Sequence, residues 1–399
     1  MHLKPVIGTA LAARLEAMRY LHVLESLQRG GVETTFLHML RAFRALPAAA
    51  SGRQSSQREG NSSRDGNFRD NGPDVHDVLA FSGGPLHREF TAVAGRVVVA
   101  NLPLDQAAVL AHDYDVVHIL TERCAHRVAP MALAASDAAL VYGKTYDGPA
   151  IARMQGVFDH AADESLLSAS DAVTFTTLDL AAGYRLPPGR TTILRKAAAI
   201  ASALDTPPIT SDLPLRVVTI ANHHPRKRLA DLIPVMRQVR QRVPRAELRV
   251  VGGGSESRMK ELRVRIADAG LSDVITLAGS QSQIEHELAM ARVVALPSIS
   301  EGVPTVVLEA MAAARPVVAM RVGHIGHVLT DGSEGFLALP GDLNGFAVRI
   351  ITLLEHSELA VRMGAAGRAR AATHDVRGVA GDLLRVLRRA GAARRRAAA

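Results

Sequence analysis

The chain has 399 residues, of which 48% are apolar, and a formal net charge of +8. Because a single hydrophobic core stops growing near ~250–300 residues, this length predicts two domains. Aromatic residues make up only 4% of the chain and tryptophan is absent, which disfavours nucleic acid as a partner. No apolar run reaches the ~18 residues of a membrane-spanning helix, and the lone Cys124 excludes an internal disulfide. We therefore expect a cytoplasmic protein in which Cys124 is a core residue.

Two segments interrupt the pattern of apolar runs. Residues 47–74 are polar and rich in Ser, Gly and Asn, a composition that buries too little surface to offset the ordering entropy, so they predict a disordered insertion. Residues 203–214 contain three prolines ahead of a strand-like run, which predicts an interdomain linker. The expected organisation is a first domain over 1–205, a second over 206–375, and a C-terminal helix with an Arg-rich tail over 376–399.

Short β-branched runs alternate with helical segments on both sides of this linker. Continuous apolar runs separated by helices indicate parallel strands that are covered on both faces. The predicted fold class is α/β, with two Rossmann-like βαβ domains that face each other across a cleft and bind ligands beyond the carboxyl ends of their strands. The predicted strands are 20–24, 97–102, 115–120, 138–143 and 172–177, then 215–220, 247–252, 274–279, 292–297 and 316–320.

Two carboxylates, Glu301 and Glu309, stand in the otherwise apolar stretch SEGVPTVVLEAMAAARPVV, residues 300–318. The run 292–297 predicts a strand, and Pro304 predicts the start of a helix, because proline is favoured in the first helical turn. Glu301 then lies in the loop at the carboxyl end of the strand. Such a loop is where a parallel sheet binds its ligand.

Glu309 falls in the second turn of the helix predicted over 305–314, which is apolar nearly all round. An unpaired buried carboxylate costs several kcal/mol or loses its charge, so Glu309 requires a partner. That partner is either an internal base such as Arg315 or the hydroxyl groups of a ligand. The free amides that follow Gly302, at the start of the helix, would attract a phosphate group.

These residues resemble the retaining family-four glycosyltransferases of the GT-B fold, whose signature is a Glu, seven residues and a second Glu. The segment EGVPTVVLEAMAAARPVVA carries that signature with its flanks. Three more segments are similar to parts of the family: LRVVGGGSESRMKEL, DGSEGFLALPGD and, in the first domain, LESLQRGGVETTFLHMLRAF. The likeness covers most of residues 20–390 and is more specific in the second domain.

The resemblance implies that Glu301 contacts hydroxyl groups of the donor sugar and that Glu309 contacts the ribose of the nucleotide. It implies that Lys227 binds the diphosphate, whereas a solvated helix start is the plainer interpretation of Lys227 and of its neighbour Arg226. The Gly-rich loop after the second strand of the domain is also consistent with a simple tight turn. The remaining implied donor-binding residues are Gly30, Gly31, Gly253, Gly302, Val303, Pro304 and Thr305.

The sequence departs from the family pattern at several positions. Asn222 replaces the usual arginine ahead of Lys227, so Arg226 is the candidate second cation of the diphosphate site. The family's cleft histidine is absent, and the segment LVYGKTYDGP offers Asp147 as a candidate auxiliary base instead. Two further replacements are Lys196-Ala197 for Asn-Gly and His327 for Glu.

The implied function is that of a retaining, metal-independent glycosyltransferase, which moves a sugar from a nucleoside-diphosphate sugar to a hydroxyl acceptor: a glycan, a lipid-linked glycan or a secondary metabolite. The implied mechanism is front-face attack, in which the leaving phosphate takes the acceptor proton and fixed cations lower the barrier. The donor is a substrate, so no cofactor is expected. No metal is expected either, because the adjacent His223 and His224 lack companion ligands.

Two alternatives belong to other classes of protein. A degenerate member of the family would bind a sugar nucleotide or a partner enzyme without turnover. A nicotinamide-dependent oxidoreductase fits the alternating pattern, but no acidic residue ends the strand that follows VVGGGSES. The basic tail leaves two interpretations open, a solvated helix end or attraction to an anionic membrane surface at the inner face. Its arginines are Arg385, Arg388, Arg389, Arg394, Arg395 and Arg396.

Overall fold

The structure is a computed structural model that describes residues 18–28, 31–46, 74–100, 114–122, 125–134, 137–145, 158–210, 212–281 and 283–398. The chain divides into two compact units. The first comprises Met1–Arg195 together with Val376–Ala399, and the second is Lys196–Asp375. The division falls at Arg195 rather than at residue 205, because Ala198, Ile200 and Ala203 belong to the hydrophobic core of the second unit.

A parallel sheet of seven strands, in the order β3-β2-β1-β4-β5-β6-β7, forms the described part of the first unit. Its strands are β1 (Arg19–Leu24), β2 (Val75–Ala80), β3 (Val97–Val99), β4 (Val116–Ile119), β5 (Ala139–Lys144), β6 (Ala172–Phe175) and β7 (Thr191–Ile193). Its helices are α1 (Gly31–Ala45), α2 (His87–Thr91), α3 (Ala125–Ala134), α4 (His160–Ala169) and α5 (Leu178–Ala182). The central strands β4, β5 and β6 are buried on both faces, as continuous apolar runs predict, whereas the edge strands β3 and β7 keep partly exposed side chains.

The second unit contains a parallel sheet of six strands in the order β10-β9-β8-β11-β12-β13. Its strands are β8 (Arg216–Ile220), β9 (Glu247–Val251), β10 (Ile275–Gly279), β11 (Val293–Leu296), β12 (Val317–Met320) and β13 (Gly335–Ala338). Its helices are α6 (Ala201–Leu204), α7 (Leu232–Arg242), α8 (Glu256–Asp268), α9 (Glu285–Ala289), α10 (Thr305–Ala312), α11 (Leu343–Glu355) and α12 (Ser357–Ala372). The strand order reverses between β8 and β11, which is the switch point where such sheets bind ligands.

All ten predicted strands are present, which confirms an α/β fold with two Rossmann-like units. Three further strands, β2, β7 and β13, were not predicted. The sequence of β2, VHDVLA, carries polar residues at its second and third positions, so it lacks a continuous apolar run. Strand β7 has only three residues, and its side chains are partly exposed. Strand β13 begins at Gly335, where an added Cβ would lie 2.1 Å from the Val317 carbonyl oxygen.

The C-terminal helix α13 (Val376–Ala398) packs on the first unit and is helical almost to the chain end. Its buried apolar stripe includes Val379, Leu383 and Leu387, as the predicted amphipathic pattern requires. Its arginines are not simply solvated, because three of them form ion pairs with aspartates in the rest of the first unit. These are Arg388–Asp74 at 2.8 Å, Arg395–Asp115 at 2.7 Å and Arg394–Asp171 at 3.8 Å. Asp74 thus helps to anchor α13, whereas residues 47–73 of the predicted insertion lie outside the described residues.

Candidate donor-binding site

A tight loop follows β8 and positions Lys227. The side chain of His224 caps a short 3-10 turn, Pro225–Lys227, by accepting a hydrogen bond from the Arg226 amide. Pro225 occupies the first turn, where its fixed φ is favourable. The turn ends at Arg228, whose φ of 51° places it in the left-handed region. This geometry buries Lys227 to 9% exposure, so it is not a solvated helix start.

The loop after β11 brings Glu301 to the same place. The Lys227 ammonium donates to Glu301 Oε1 over 2.5 Å, and Arg226 Nη1 lies 3.6 Å from Glu301 Oε2. Arg226 also donates to the Ser300 carbonyl over 3.5 Å. Asn222, which replaces the expected arginine, is exposed at the end of β8. One carboxylate therefore faces two cations, and the cluster keeps a net positive charge.

The loop that carries Glu301 leads directly into α10. Pro304 is the N-cap residue of this eight-residue helix, and no side chain caps its free amides. The N-terminus of α10 therefore offers partial positive charge and unpaired N–H donors close to the cluster in sequence. Gly323 packs directly against this loop. Its φ is +53°, and an added Cβ would lie 1.6 Å from the Glu301 carbonyl oxygen.

Glu309 lies in the second turn of α10, as predicted, and is half-buried. Burial raises the pKa of Glu309 to about 7, the carboxylate of Glu285 adds to the rise, and Lys196 opposes it. In the described part of the chain the Glu309 side chain has no hydrogen bond and no ion pair. The internal base considered as its partner, Arg315, donates instead to the carbonyl groups of Leu288 and Ala289. The Glu309 carboxylate is therefore available to a ligand.

The Gly-rich loop after β9 packs against the end of β8. An added Cβ at Gly252 would lie 2.0 Å from the Ala221 carbonyl oxygen, and the φ of Gly252 is +138°. The carbonyl of Gly253 accepts a hydrogen bond from the His223 amide over 2.9 Å. These glycines are needed for the close approach of two loops, which fits the simpler interpretation of a tight turn.

Comparison with known proteins identifies the second unit. Residues 214–356 match the family model described as glycosyl transferases group 1. This part of the second unit is therefore similar to the glycosyltransferases of group 1. The chain is 32% identical over 152 residues to an N-acetyl-alpha-D-glucosaminyl L-malate synthase of Bacillus anthracis, which covers 38% of this chain and 39% of the relative.

Two further comparisons extend this result. A GDP-mannose-dependent phosphatidylinositol monomannoside mannosyltransferase of Mycolicibacterium smegmatis is 32% identical over 161 residues, 38% of this chain and 42% of that protein. The chain thus matches only about two fifths of the length of these relatives. The structure of Anabaena HepE in complex with UDP-glucose matches 93% of this chain and 99% of its own, with a TM-score of 0.74 and 20% identity. These findings confirm the predicted resemblance and the GT-B fold.

The site contains most of the residues that the sequence predicted for the glycosyltransferase domain. Glu301, Lys227 and Arg226 form one cluster, and the loop Gly302–Thr305 joins that cluster to the helix of Glu309. Gly253 lies in the neighbouring loop and contacts His223. The remaining predicted residues belong to the first unit. Gly31 is the first residue of α1 in the first unit, whereas Gly30 and Asp147 lie outside the described residues, as Cys124 does, so their roles stay predictions.

Sequence reasoning missed the charged neighbours of Glu309. In the sequence, Lys196 is only a departure from the family pattern. In the structure, its positive charge acts on Glu309 and opposes the rise of the Glu309 pKa. Glu285, which accepts a hydrogen bond from Ser202 over 2.5 Å, is the nearby carboxylate. Both residues are distant from Glu309 along the chain, and no local pattern connects them.

The described ranges also bear on metal binding and on membrane spans. In these ranges no group of three or more His, Cys, Asp or Glu side chains is arranged to hold a metal ion. His223 and His224 line a cavity together with three arginines and with the carboxylates of Asp231 and Glu261. Across the same residues, no helix is both long enough and apolar enough to cross a membrane.

Proposed function

We propose that the chain is a retaining, metal-independent glycosyltransferase that moves a sugar from a nucleoside-diphosphate sugar to a hydroxyl acceptor. The observation that carries this proposal is the state of Glu309 in a group 1 glycosyltransferase domain. Its carboxylate is half-buried, has no partner among the described residues and has a pKa raised to about 7. Such a group is costly to the folded protein unless a ligand donates hydrogen bonds to it.

The residues around Glu309 suit a nucleoside-diphosphate sugar. The two ribose hydroxyls of a nucleotide are hydrogen-bond donors of the kind that Glu309 lacks. The cations of Lys227 and Arg226, together with the free amides of α10, suit the diphosphate, because charge-assisted hydrogen bonds to phosphate are the strong ones. Glu301 is held in place by both cations and is assigned to hydroxyl groups of the donor sugar.

The proposed reaction is a front-face displacement. The bond from the anomeric carbon to the leaving phosphate oxygen breaks while the acceptor oxygen bonds to the same face of that carbon, so the configuration is retained. The acceptor proton passes to the leaving phosphate. Lys227 and Arg226 stabilise the negative charge that develops on the diphosphate, which supplies the electrostatic contribution without a metal ion. Asp147 is proposed as an auxiliary base on the evidence of the family resemblance alone.

The acceptor and the location are proposed more broadly. A glycan, a lipid-linked glycan and a small secondary metabolite all offer the required hydroxyl group. Peripheral attachment to an anionic membrane surface is proposed from the exposed arginines Arg389 and Arg396, which lie on α13 beside the three that pair with the first unit. Binding to vesicles with and without anionic lipid tests this attachment, and equal binding to both contradicts it.

A donor screen tests the proposed function. The relatives named above include a GDP-mannose-dependent enzyme and a protein solved with UDP-glucose, so the screen covers uridine, guanosine, adenosine and thymidine diphospho-sugars. The purified chain is melted with each sugar nucleotide, and the freed nucleotide is measured by mass spectrometry. Saturation at about 100 times Kd adds about 2.7 kcal/mol to the free energy of unfolding, so one base should raise the melting temperature clearly.

The outcomes of the screen separate the candidate functions. A melting shift with one base, together with slow release of its nucleoside diphosphate, supports a transferase. A shift without release, even with hydroxyl acceptors present, supports a protein that binds a sugar nucleotide without turnover. No shift with any of the four bases contradicts the assignment of Glu309 and Lys227 to the donor.

A further inference from the structure

A second cavity opens beside the donor site on the same unit. It has a volume of about 280 Å³ and lies between α8 and the loop that follows β8. Neither Lys227 nor Glu301 nor Glu309 lines it. Its lining is rich in basic groups: His223, His224, Arg228, Arg258 and Arg265.

The arginines of this cavity are unequally neutralised. Arg228 Nε donates to Asp231 Oδ2 over 2.8 Å, and Arg265 Nη1 lies 3.8 Å from Glu261 Oε1. Arg258 has no carboxylate partner in the ranges that the structure describes. Its hydrogen bond there is a long one, 3.4 Å from Nη1 to the His223 carbonyl oxygen. Three guanidinium groups thus face two carboxylates, and the excess charge is that of Arg258.

His223 adds an unsatisfied buried group. The residue is 7% exposed, and its Nδ1 atom has no hydrogen-bond partner in the described residues. Burial lowers the pKa of His223 and the charge of Arg263 lowers it further, whereas a hydrogen bond of the ring to the Gly252 backbone opposes this shift. The neighbouring His224 shows the same direction, through burial first and then through the charges of Arg226 and Arg258. A buried ring nitrogen without a partner costs about 1–3 kcal/mol, which a ligand oxygen would recover.

The N-terminal end of α8, residues 255–257, lies beside His223 but outside the lining of the cavity, and it carries the acidic residue Glu256. This helix has 13 residues, and its N-cap residue, Ser255, makes no side-chain capping hydrogen bond. Gly254 lies directly against His223, because an added Cβ there would be 2.4 Å from the His223 Cβ. The uncapped amides of a long helix favour negative charge near its first turn.

We infer that this cavity binds a phosphate group at a site separate from the donor diphosphate. A guanidinium group without a carboxylate partner in the described residues and an unpaired buried imidazole nitrogen, both in the lining of one cavity, match the oxygens of a phosphate. The volume is at the lower limit of the ~300–1,000 Å³ of ordinary ligand cavities, so the ligand is inorganic phosphate or a small phosphomonoester and not a second sugar nucleotide.

Calorimetric titration of the full chain tests this inference. The ligands are inorganic phosphate, glucose 6-phosphate as a phosphomonoester, and glucose as the uncharged control. The variants are Arg258→Gln, which removes the unneutralised guanidinium, and Lys260→Gln, which removes one charge from the exposed side of the same helix. We expect both phosphate ligands to bind and glucose not to bind. Arg258→Gln should raise the phosphate Kd about tenfold or more, and Lys260→Gln less than about twofold.

A third variant, Lys227→Ala, separates this inference from the proposed function. If phosphate occupies the cavity, Lys227→Ala changes its Kd by less than about threefold. Tighter binding of glucose 6-phosphate than of phosphate identifies an organic phosphate as the ligand, and equal binding identifies free phosphate. If Lys227→Ala abolishes phosphate binding and Arg258→Gln does not, the phosphate lies at the donor site and the inference is overturned. Absence of binding heat up to about 10 mM phosphate overturns it as well.

Discussion

Each unit of the molecule places a buried lysine beside a carboxylate at the carboxyl end of its sheet, but the two clusters differ in what remains unpaired. In the first unit, Lys144 ends β5 and donates to both oxygens of Asp163, over 2.8 and 3.0 Å. In the second unit, Lys227 donates to one oxygen of Glu301 over 2.5 Å. Both pairs are buried, so pairing alone does not distinguish a structural cluster from a binding site.

The cluster of the first unit is closed. The hydroxyl of Tyr142 donates to Asp163 over 2.5 Å, and Glu122 accepts hydrogen bonds from the amide and the hydroxyl of Thr145. Burial lowers the pKa of Lys144, but the charges of Glu122 and Asp163 outweigh it and raise that pKa above the ordinary value. Lys144 is fully buried, with no face open to a ligand.

The cluster of the second unit is open, because Glu309 and the first amides of α10 are unpaired in the described part of the chain. An unsatisfied acceptor, rather than a buried ion pair, therefore distinguishes the candidate binding site from the structural cluster. A satisfied polar cluster holds a fold together, whereas an unsatisfied one requires a partner from outside.

The largest effect is expected for Lys144→Met. Among the described residues, the substitution leaves the buried Asp163 carboxylate with the Tyr142 hydroxyl as its side-chain donor, and breaking a buried pair in this way costs about 3–5 kcal/mol of folding free energy. Urea unfolding measures the loss, with Lys260→Met as the exposed control. Nucleotide affinity of the protein that remains folded should be unchanged. A loss below about 1 kcal/mol would mean that the closed cluster is not structural.

Lys227→Ala should reduce turnover more than stability, which is the reverse of the effect expected for Lys144→Met. Turnover of the donor found in the screen is expected to fall about 100-fold, because a fixed cation at the leaving diphosphate is lost. The free energy of unfolding should change less than the activation free energy, because Arg226 Nη1 remains 3.6 Å from Glu301 Oε2. The measurements are initial rates and melting temperatures of the two proteins, with Lys260→Ala as control. If the rise in the activation free energy of turnover equals the loss of folding free energy, Lys227 has a structural role and does not differ from Lys144.

Glu309→Gln should stabilise the ligand-free protein at high pH. A folded-state pKa of about 7, above the ordinary 4.5, means that folding favours the protonated form. Stability from this group is therefore complete below pH 4.5 and is lost as the pH rises through 7. The amide removes that penalty, so the variant should gain about 3 kcal/mol at pH 8 and almost nothing near pH 4.5. Urea unfolding at both pH values that shows no difference would mean that Glu309 is already paired.

The smallest effect is expected for deletion of residues 50–72. Their composition cannot supply a core, and a long surface insertion contributes little to the folding free energy. The melting temperature should shift by no more than about 2 °C, and donor binding should be retained. Aggregation of the shortened protein, seen by size-exclusion chromatography, would show that the insertion covers apolar surface.

The sequence alone was sufficient to predict most strands of the two sheets and the positions of Glu301 and Glu309. Apolar runs such as RVVALP predict buried parallel strands because burial on both faces removes the alternation of polar side chains. Pro304 and the apolar helix after it were enough to place Glu301 in a strand-end loop and Glu309 in the second turn. The helix ends at Ala312, two residues before the predicted end at 314, because Ala314 has a φ of 56° and leaves the helical region.

The pairings between distant residues could not be predicted. The ion pairs that anchor α13, such as Arg388–Asp74, join residues far apart in the chain, and composition alone favoured a solvated tail. The closed cluster of Lys144 and Asp163 was likewise invisible, because nothing in LVYGKTYDGP indicates which acid the lysine contacts. Side-chain pairing depends on the register and crossing of whole elements, which local periodicity does not contain.

We propose that the unpaired carboxylate of Glu309 binds the ribose of a nucleotide. The most direct test is calorimetric titration of the nucleoside diphosphate found in the screen into the wild type and Glu309→Gln, at about pH 6.5 and about pH 8.5. The ratio of the two Kd values isolates Glu309 from titration of the phosphate itself. We predict that Glu309→Gln weakens binding about tenfold at the higher pH, where the carboxylate is charged, and clearly less at the lower pH. Equal affinity of the two proteins at both pH values would contradict the account.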